Sequence, residues 1–338
     1  MSRYQPPCTI TPKIVHLIAD ISELIGRWSV ASDEQLSPQL RRGNRIRTIQ
    51  ASLAIENNTL SVEQVTAILD GKRVLGLPRE IQEVRNANDA YEQLPKWQMT
   101  SRTDLLSAHG LLMVGLIDDA GQLRSGGVGI YRGETLIHMA PPANRLDPLI
   151  DDLMHWLDST TLHPLLASCI FHYEFEFIHP FADGNGRMGR LWQTLILSQW
   201  KPTLAWLPVE TVIRDQQEAY YAALAESDRV SEATPFVVFM LGALHAAMLE
   251  VTTTTVKTTK TAEKAAAKTA EKIIQLLMKE PTLAARDLAE QLELSPRAIE
   301  NNIAQLKKAG RLIRIGAAKG GYWQVVGQAQ DQNKDDQT

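Results

Sequence analysis

The chain holds 338 residues, 44% hydrophobic and 22% charged, with a formal net charge of -4. That balance is close to a globular average and excludes a wholly disordered chain or a fibrous repeat. At roughly 100–200 residues per domain it predicts two or three domains, and two cysteines, Cys8 and Cys169, are too few for a disulfide framework or a cysteine zinc site. Residues 12–28 repeat Ile14, Leu17, Ile18, Ile21, Leu24 and Ile25 at helical spacing, which predicts an amphipathic helix. A second helix is predicted over 41–55 and a third over 62–69, with Ser61 as N-cap. Pro78 opens a fourth that reaches about Leu94, and a short helix follows over 103–113.

The texture changes at Leu116. Clustered glycines and two short runs, 128–132 and 135–139, around a Gly133–Glu134 turn candidate predict a β-hairpin. Helices resume at 146–157, 165–177, 186–199, 214–225 and 235–250. Residues 251–267 are rich in Thr, Ala and Lys; the Thr run disfavours helix and predicts a linker, while the Ala/Lys part can extend the next helix. Residues 268–326 predict three helices and a two-stranded ribbon, and 327–338 read as a polar, disordered tail. The division is 1–97, 98–250, 251–267, 268–326 and 327–338, mainly α. The opening MSRYQPPCTI has no apolar signal core, and no apolar run is read as reaching the roughly 18 residues of a membrane span. The expectation is a cytoplasmic protein with no membrane contact.

The sharpest motif is His179-Pro180-Phe181-Ala182-Asp183-Gly184-Asn185-Gly186-Arg187-Met188-Gly189-Arg190. The Gly184–Gly186 turn feeds an apolar helix, so it presents free backbone N–H groups and the positive end of the helix dipole. Arg187 and Arg190 stand three apart on one side of the first turn, suited to bidentate phosphate contacts. Asp183 can hold a Mg²⁺ that bridges phosphates. His179 is the group able to take a proton near neutral pH, and Phe181 predicts an anchor in the core. This is the chemistry of a hydroxyl attacking a nucleotide phosphate.

The string resembles the signature of the Fic family, His-x-Phe-x-Asp/Glu-Gly-Asn-Gly-Arg-x-x-Arg, at every fixed position. The resemblance implies a Fic-type helical bundle and AMP transfer from ATP to a Ser, Thr or Tyr hydroxyl of a target protein. It implies His179 as base, Asp183 as Mg²⁺ ligand, phosphate contacts from Gly184, Asn185, Gly186, Arg187 and Arg190, and an ATP site that also takes in Glu56, His179, Met188 and Gly189. It implies that the hairpin, at Gly127, Val128, Gly129, Ile130 and Tyr131, is a flap that pairs with the target segment as an added strand. It also implies adenine contacts from Tyr221 and Tyr220. Ser227 and Asp228 stand where relatives often carry Asn.

Ser52-Leu-Ala-Ile-Glu56-Asn57 reads by composition as a helix end. It resembles the family's inhibitory motif, Ser/Thr-x-x-x-Glu-Gly/Asn, which implies that Glu56 pairs with Arg190 and takes the room of the γ-phosphate. Further on, Ser295-Pro296 predicts a helix start and Gly310 a helix stop, ahead of Leu312-Ile313-Arg314-Ile315 and Tyr322-Trp-Gln-Val-Val. That layout resembles a winged helix-turn-helix. The resemblance puts Arg297, Asn301, Asn302 and Gln305 toward a DNA major groove, with Lys307, Lys308, Arg311, Arg314 and Lys319 near phosphates. Residues 257–326 hold 13 basic and seven acidic side chains, so the near-neutral total hides a basic module beside an acidic one. Candidate partners are the protein target, a second copy of the chain, and DNA through 268–326. The alternatives are a nucleotide-sensing transcription regulator and removal of AMP from the modified target.

Overall fold

Proline and Ser/Thr punctuation sets the helix starts. Pro12, Pro38, Pro78, Pro164 and Pro296 each open a helix, where a missing N–H costs nothing. Ser37, Ser61, Ser101 and Ser295 cap the helices that follow them. The computed structural model describes residues 4–32, 37–127, 129–132, 135–317 and 320–326. Val128, the Gly133–Glu134 turn candidate, Lys319 and the 327–338 tail lie outside the described residues.

The order is α1 (Pro12–Ser32), α2 (Pro38–Ile55), α3 (Val62–Leu69), α4 (Pro78–Gln93), α5 (Arg102–Met113), β1 (Gly129–Arg132), β2 (Thr135–Met139), α6 (Leu146–Ser159), α7 (Pro164–Ile178), α8 (Asn185–Trp200), α9 (Val209–Asp215), α10 (Gln217–Val230), α11 (Thr234–Lys279), α12 (Ala285–Gln291), α13 (Pro296–Lys308), β3 (Leu312–Ile315) and β4 (Tyr322–Val325). The protein is mainly α. The chain divides into two compact units, Met1–Thr253 and Thr254–Thr338.

In the first unit α7 is buried on nearly every face and packs on α8. Phe171, Phe175, Phe181, Trp192 and Phe236 fill the space around this pair. α7 is buried although it carries His172 and Glu174, whose polar atoms are met inside by Gln193 and the Tyr4 hydroxyl, and it is the rod from which the motif loop hangs. β1 and β2 pair antiparallel from Gly129↔Met139 to Arg132↔Thr135, with a bulge between Ile130 and Tyr131.

Two expectations need correction. The chain stays helical through 251–267, as part of α11. A Thr costs only a few tenths of a kcal/mol relative to better helix formers, about 0.5 kcal/mol against Ala. The Thr252 hydroxyl donates to Met248 O at 2.7 Å, so its polar group is satisfied inside the helix. In addition, Thr234–Thr253 is 20 residues long and apolar enough by composition to cross a membrane. Its Phe236, Val237, Met240, Leu241, Leu244 and Met248 are buried in the first unit's core, as in the central helix of a globular domain.

In the second unit Ile273, Leu277, Leu288, Ile299, Ile303, Leu306 and Leu312 form a separate small core. Ser295 Oγ accepts from Ala298 N at 3.3 Å to start α13. Gly310, at φ +68, stops it, and Arg311 N donates back to Leu306 O. β3 and β4 then pair from Leu312↔Val325 to Ile315↔Tyr322. This is a winged helix-turn-helix.

Candidate active site

α7 ends at His179, whose backbone is left-handed at φ 48, ψ 62, and whose N–H still donates to Phe175 O at 3.0 Å. That conformation costs a non-glycine residue about 1 kcal/mol, and it turns the chain back toward α8. Phe181 is fully buried and stacks on the His109 ring of α5, with centroids 3.6 Å apart and planes 2° apart. Gly121 N donates to His109 Nδ1 at 2.8 Å, so Nε2 carries the hydrogen and donates to Asp183 O at 3.0 Å. Burial pushes the His109 imidazole below its ordinary pKa and keeps it in this neutral form.

The Asn185 side chain serves the loop itself. Its Oδ1 accepts from Phe181 N at 3.0 Å and its Nδ2 donates to Phe181 O at 2.9 Å. Only its backbone N–H faces the helix N-terminus. Gly184 sits at φ +85, and a Cβ there would strike Met113 Sδ at 2.7 Å. A Cβ on Gly186 would run into Glu56 Oε1, so the space over this amide holds a carboxylate. Met188 is fully buried, and Gly189 lies against the His172 ring.

Both motif arginines are buried and tied to carboxylates. Arg187, 5% exposed, donates from Nη2 to Asp183 Oδ1 at 2.9 Å and from Nη1 to Glu83 Oε1 at 3.3 Å. Its Nε is buried with no hydrogen-bond partner among the described residues. Arg190, 2% exposed, donates from Nε to Ser52 Oγ at 3.1 Å, and from Nη2 to Ser52 O at 3.0 Å and Glu56 Oε1 at 2.7 Å. Burial alone would lower the Arg190 pKa; the Glu56 charge outweighs it and holds the guanidinium above its ordinary value. Asn57, at φ 67, turns the chain out of α2. Ser52 and Glu56 therefore meet Arg190 from one face of α2, and Asn57 makes the stop.

Residues that no motif pointed to complete the surround. Arg79 of α4 donates to Asp183 Oδ2 at 3.1 Å. Glu83, one turn on, accepts from Asn58 Nδ2 at 2.8 Å through its second oxygen. His109 and Arg124 are also absent from any sequence signal: His109 acts on Asp183 O, 74 positions on, and Arg124 on carbonyls from two to 55 positions away. Tyr220 is buried, 3.2 Å from His172 Nε2 and edge-on to Phe236, inside the core. Tyr221 is 38% exposed, and its hydroxyl pKa is raised by burial and then by the Glu56 charge. Ser227 Oγ accepts from Phe236 N, and Asp228 accepts from the Tyr173 hydroxyl. The flap backbone of Gly129, Ile130 and Tyr131 is in β1, and Gly127 precedes it. Among the described residues no group of three or more His, Cys, Asp or Glu side chains gathers around a metal position.

A mainly helical core, a histidine ending one helix and a glycine loop opening the next define the class of helical protein to which the chain is compared. The Fic/DOC family model matches residues 99–197, and an HTH domain model matches 269–323. A crystal structure of a Fic family protein from Desulfovibrio desulfuricans G20 is 54% identical, covers 97% of this chain and 100% of that one, and gives a TM-score of 0.74. The curated relatives include protein adenylyltransferase fic-1 of Caenorhabditis elegans, 32% identical over 200 residues, which are 55% of this chain and 37% of that one. They also include protein adenylyltransferase Fic of Drosophila virilis, 28% identical over 234 residues, 63% of this chain and 44% of that one. The chain thus spans less than half the length of these curated relatives. It belongs to the Fic/DOC family and carries a C-terminal HTH domain.

Proposed function

We propose that this protein transfers AMP from ATP to a hydroxyl side chain of a protein target, and that Glu56 holds the reaction down. The observation that carries the reading is the α8 N-terminus. The Asn185 and Gly186 amides, Arg187 and Arg190 converge there, with His179 ending the helix before it, while the Gly184 amide donates to Asp183 Oδ1 at 2.6 Å. His179 takes the proton of a Ser, Thr or Tyr hydroxyl. The freed oxygen bonds to the α-phosphorus, the bond to the β-phosphate oxygen breaks, and pyrophosphate leaves. The Asn185 and Gly186 amides and the two guanidiniums stabilise the charge that builds on the phosphates, joined by the Gly184 amide once Asp183 Oδ1 gives it up. The exposed aromatic face of Tyr221 suits adenine stacking; Tyr220 supports it from within.

Mg²⁺ fits the donor set. Asp183 is part-exposed at the mouth of the loop, and Mg²⁺ typically takes one or two carboxylates plus substrate phosphates. Asp183 would hold it, exchanging its contacts to Arg79, Arg187 and the Gly184 amide for the metal. When bound, the ion neutralises phosphate charge and orients the leaving group.

Autoinhibition follows from competition for donors. Glu56 Oε1 lies over the Gly186 position and on Arg190 Nη2. A terminal phosphate needs the same guanidinium. The test is mass spectrometry of a lysate treated with the Glu56→Gly protein and ATP/Mg²⁺. The expected result is a target mass gain of one AMP, absent with Glu56→Gly/His179→Ala. No gain in either protein would sink the reading. Loss of AMP from a pre-modified protein would favour the removal reaction instead.

The second unit favours DNA as a further partner. Arg297, Asn301, Gln305 and Lys308 are exposed along α13, while Ile299, Ile303 and Leu306 turn inward. Such a stripe matches a helix that reads base edges. Asn302 is not part of it, because its Nδ2 donates back to Ala298 O at 2.8 Å. A salt-dependent gel shift of the full chain on duplex DNA tests this.

A further inference from the structure

We infer that Arg124 is a positioning residue that holds the base of the flap and the His179 turn in one fixed relation. Arg124 is 4% exposed, yet its described partners are all carbonyl oxygens. Nε donates to His179 O at 2.7 Å and Nη2 donates to Ile178 O at 3.3 Å. Nη1 donates to Gly126 O and Nη2 also to Pro141 O, both at 2.7 Å. The Arg124 backbone N–H donates to Pro180 O at 3.0 Å. One planar fork therefore reaches two places at once.

The first place is the end of α7. The last carbonyls of a helix have no partner within it. Ile178 O and His179 O are such groups, and a cation there also suits the negative end of the helix dipole. Arg124 fills these acceptors and so supports the left-handed backbone of His179. The second place is the hairpin root. Gly126 precedes β1 and Pro141 follows β2, so the side chain ties both roots of the flap together. A lysine cannot substitute, since its three donors sit on a single atom and cannot span four carbonyls in a plane.

The consequence rests on the AMP-transfer reading. The flap would present the target backbone, and His179 the base. Arg124 sets the distance between the target hydroxyl and the imidazole, while leaving the phosphate cradle of α8 untouched. A displacement of about 1 Å in such a geometry costs roughly 100-fold in rate.

The experiment has two arms, on Arg124→Lys and Arg124→Gln in the full chain. The first is hydrogen exchange by mass spectrometry, which needs no target. Exchange about tenfold faster is expected in 126–141 and 178–181, with α8 and α11 unchanged. The second is target labelling in the Glu56→Gly background, with ATP affinity measured on the same protein. A fall of roughly 100-fold in labelling is expected, with ATP affinity held within about twofold. Unchanged exchange in both segments overturns the inference. So does a uniform loss of protection across the core, or a labelling loss that merely follows ATP affinity. If Glu56→Gly alone labels nothing, the AMP-transfer reading fails, and the exchange arm still decides whether Arg124 couples flap and turn.

Discussion

Arg187 and Arg190 are nearly sealed from water and fixed by Glu83, Asp183, Ser52 and Glu56, whereas Arg297 and Arg311 of the second unit stand in solvent. Arg311 pairs with Glu271 at 3.0 Å, an ion pair with both partners about half exposed. A buried guanidinium is costly unless every donor finds an acceptor in good geometry. The first unit offsets much of that cost with the Glu83, Asp183 and Glu56 carboxylates, although Arg187 Nε has no partner among the described residues. Under the proposed function, such a site would answer to the identity and shape of its ligand, and its own carboxylate would block it. An exposed cation is cheap and weakly oriented, so it responds to total charge and to salt. Under the proposed function, the same residue type would make a switch in one unit and an electrostatic footprint in the other.

The largest effect that would break this contrast lies at His179. His179→Ala in the Glu56→Gly background should lower AMP transfer by about 10³-fold, with ATP affinity retained, read by transfer of labelled AMP. Retained transfer would remove the histidine from the chemistry. Glu56→Gly should come next. Losing a charge-assisted bond of about 2–3 kcal/mol frees Arg190 and should raise transfer roughly 30–100-fold over the unaltered chain. A response to salt sharpens the contrast further. DNA binding should weaken steeply between about 50 and 200 mM salt, and Lys307→Ala/Lys308→Ala should reduce the slope of log affinity against log salt by about 2. ATP binding to Glu56→Gly should vary far less over the same range.

The smallest effect concerns Glu210, buried near Arg190, with Oε1 accepting from the Tyr91 hydroxyl at 3.0 Å and Oε2 without a hydrogen-bond partner among the described residues. Burial raises its pKa; the Tyr91 bond and the Arg190 charge offset this in part. Its raised folded pKa means that its contribution is present below the unfolded carboxyl value and lost as pH rises through the folded one. Glu210→Gln should therefore gain in stability relative to the unaltered chain between pH 4 and pH 7. Denaturant titrations at the two pH values check the sign.

Much of the helical layout was legible because it is local. Pro and Ser/Thr starts, the 3.6-residue period and the Gly310 stop each act within a few residues. The Thr run at 251–267 misled because propensity is a weak prior that neighbouring Ala, Lys and Glu can outweigh. Thr234–Thr253 was missed as a long apolar stretch because Gly242 and His245 interrupt the run, while its mean hydropathy stays high. The motif string was legible as chemistry, yet Asn185 turned inward to clamp Phe181, a role that residue type does not announce. Arg79, Glu83, His109 and Arg124 left no trace, since their partners lie from two to 104 positions away and are chiefly carboxylates and backbone carbonyls.

By itself the sequence determined the family, the helical units and the residue types of the loop between α7 and α8, because a glycine turn ahead of a helix is set by local geometry alone. Only the tertiary structure decided which donors are engaged. It seated Glu56 on Arg190, turned His179 left-handed and gave Arg124 its four carbonyls. Those outcomes depend on which distant groups are brought within hydrogen-bond reach and closed off from water, and no local pattern encodes that.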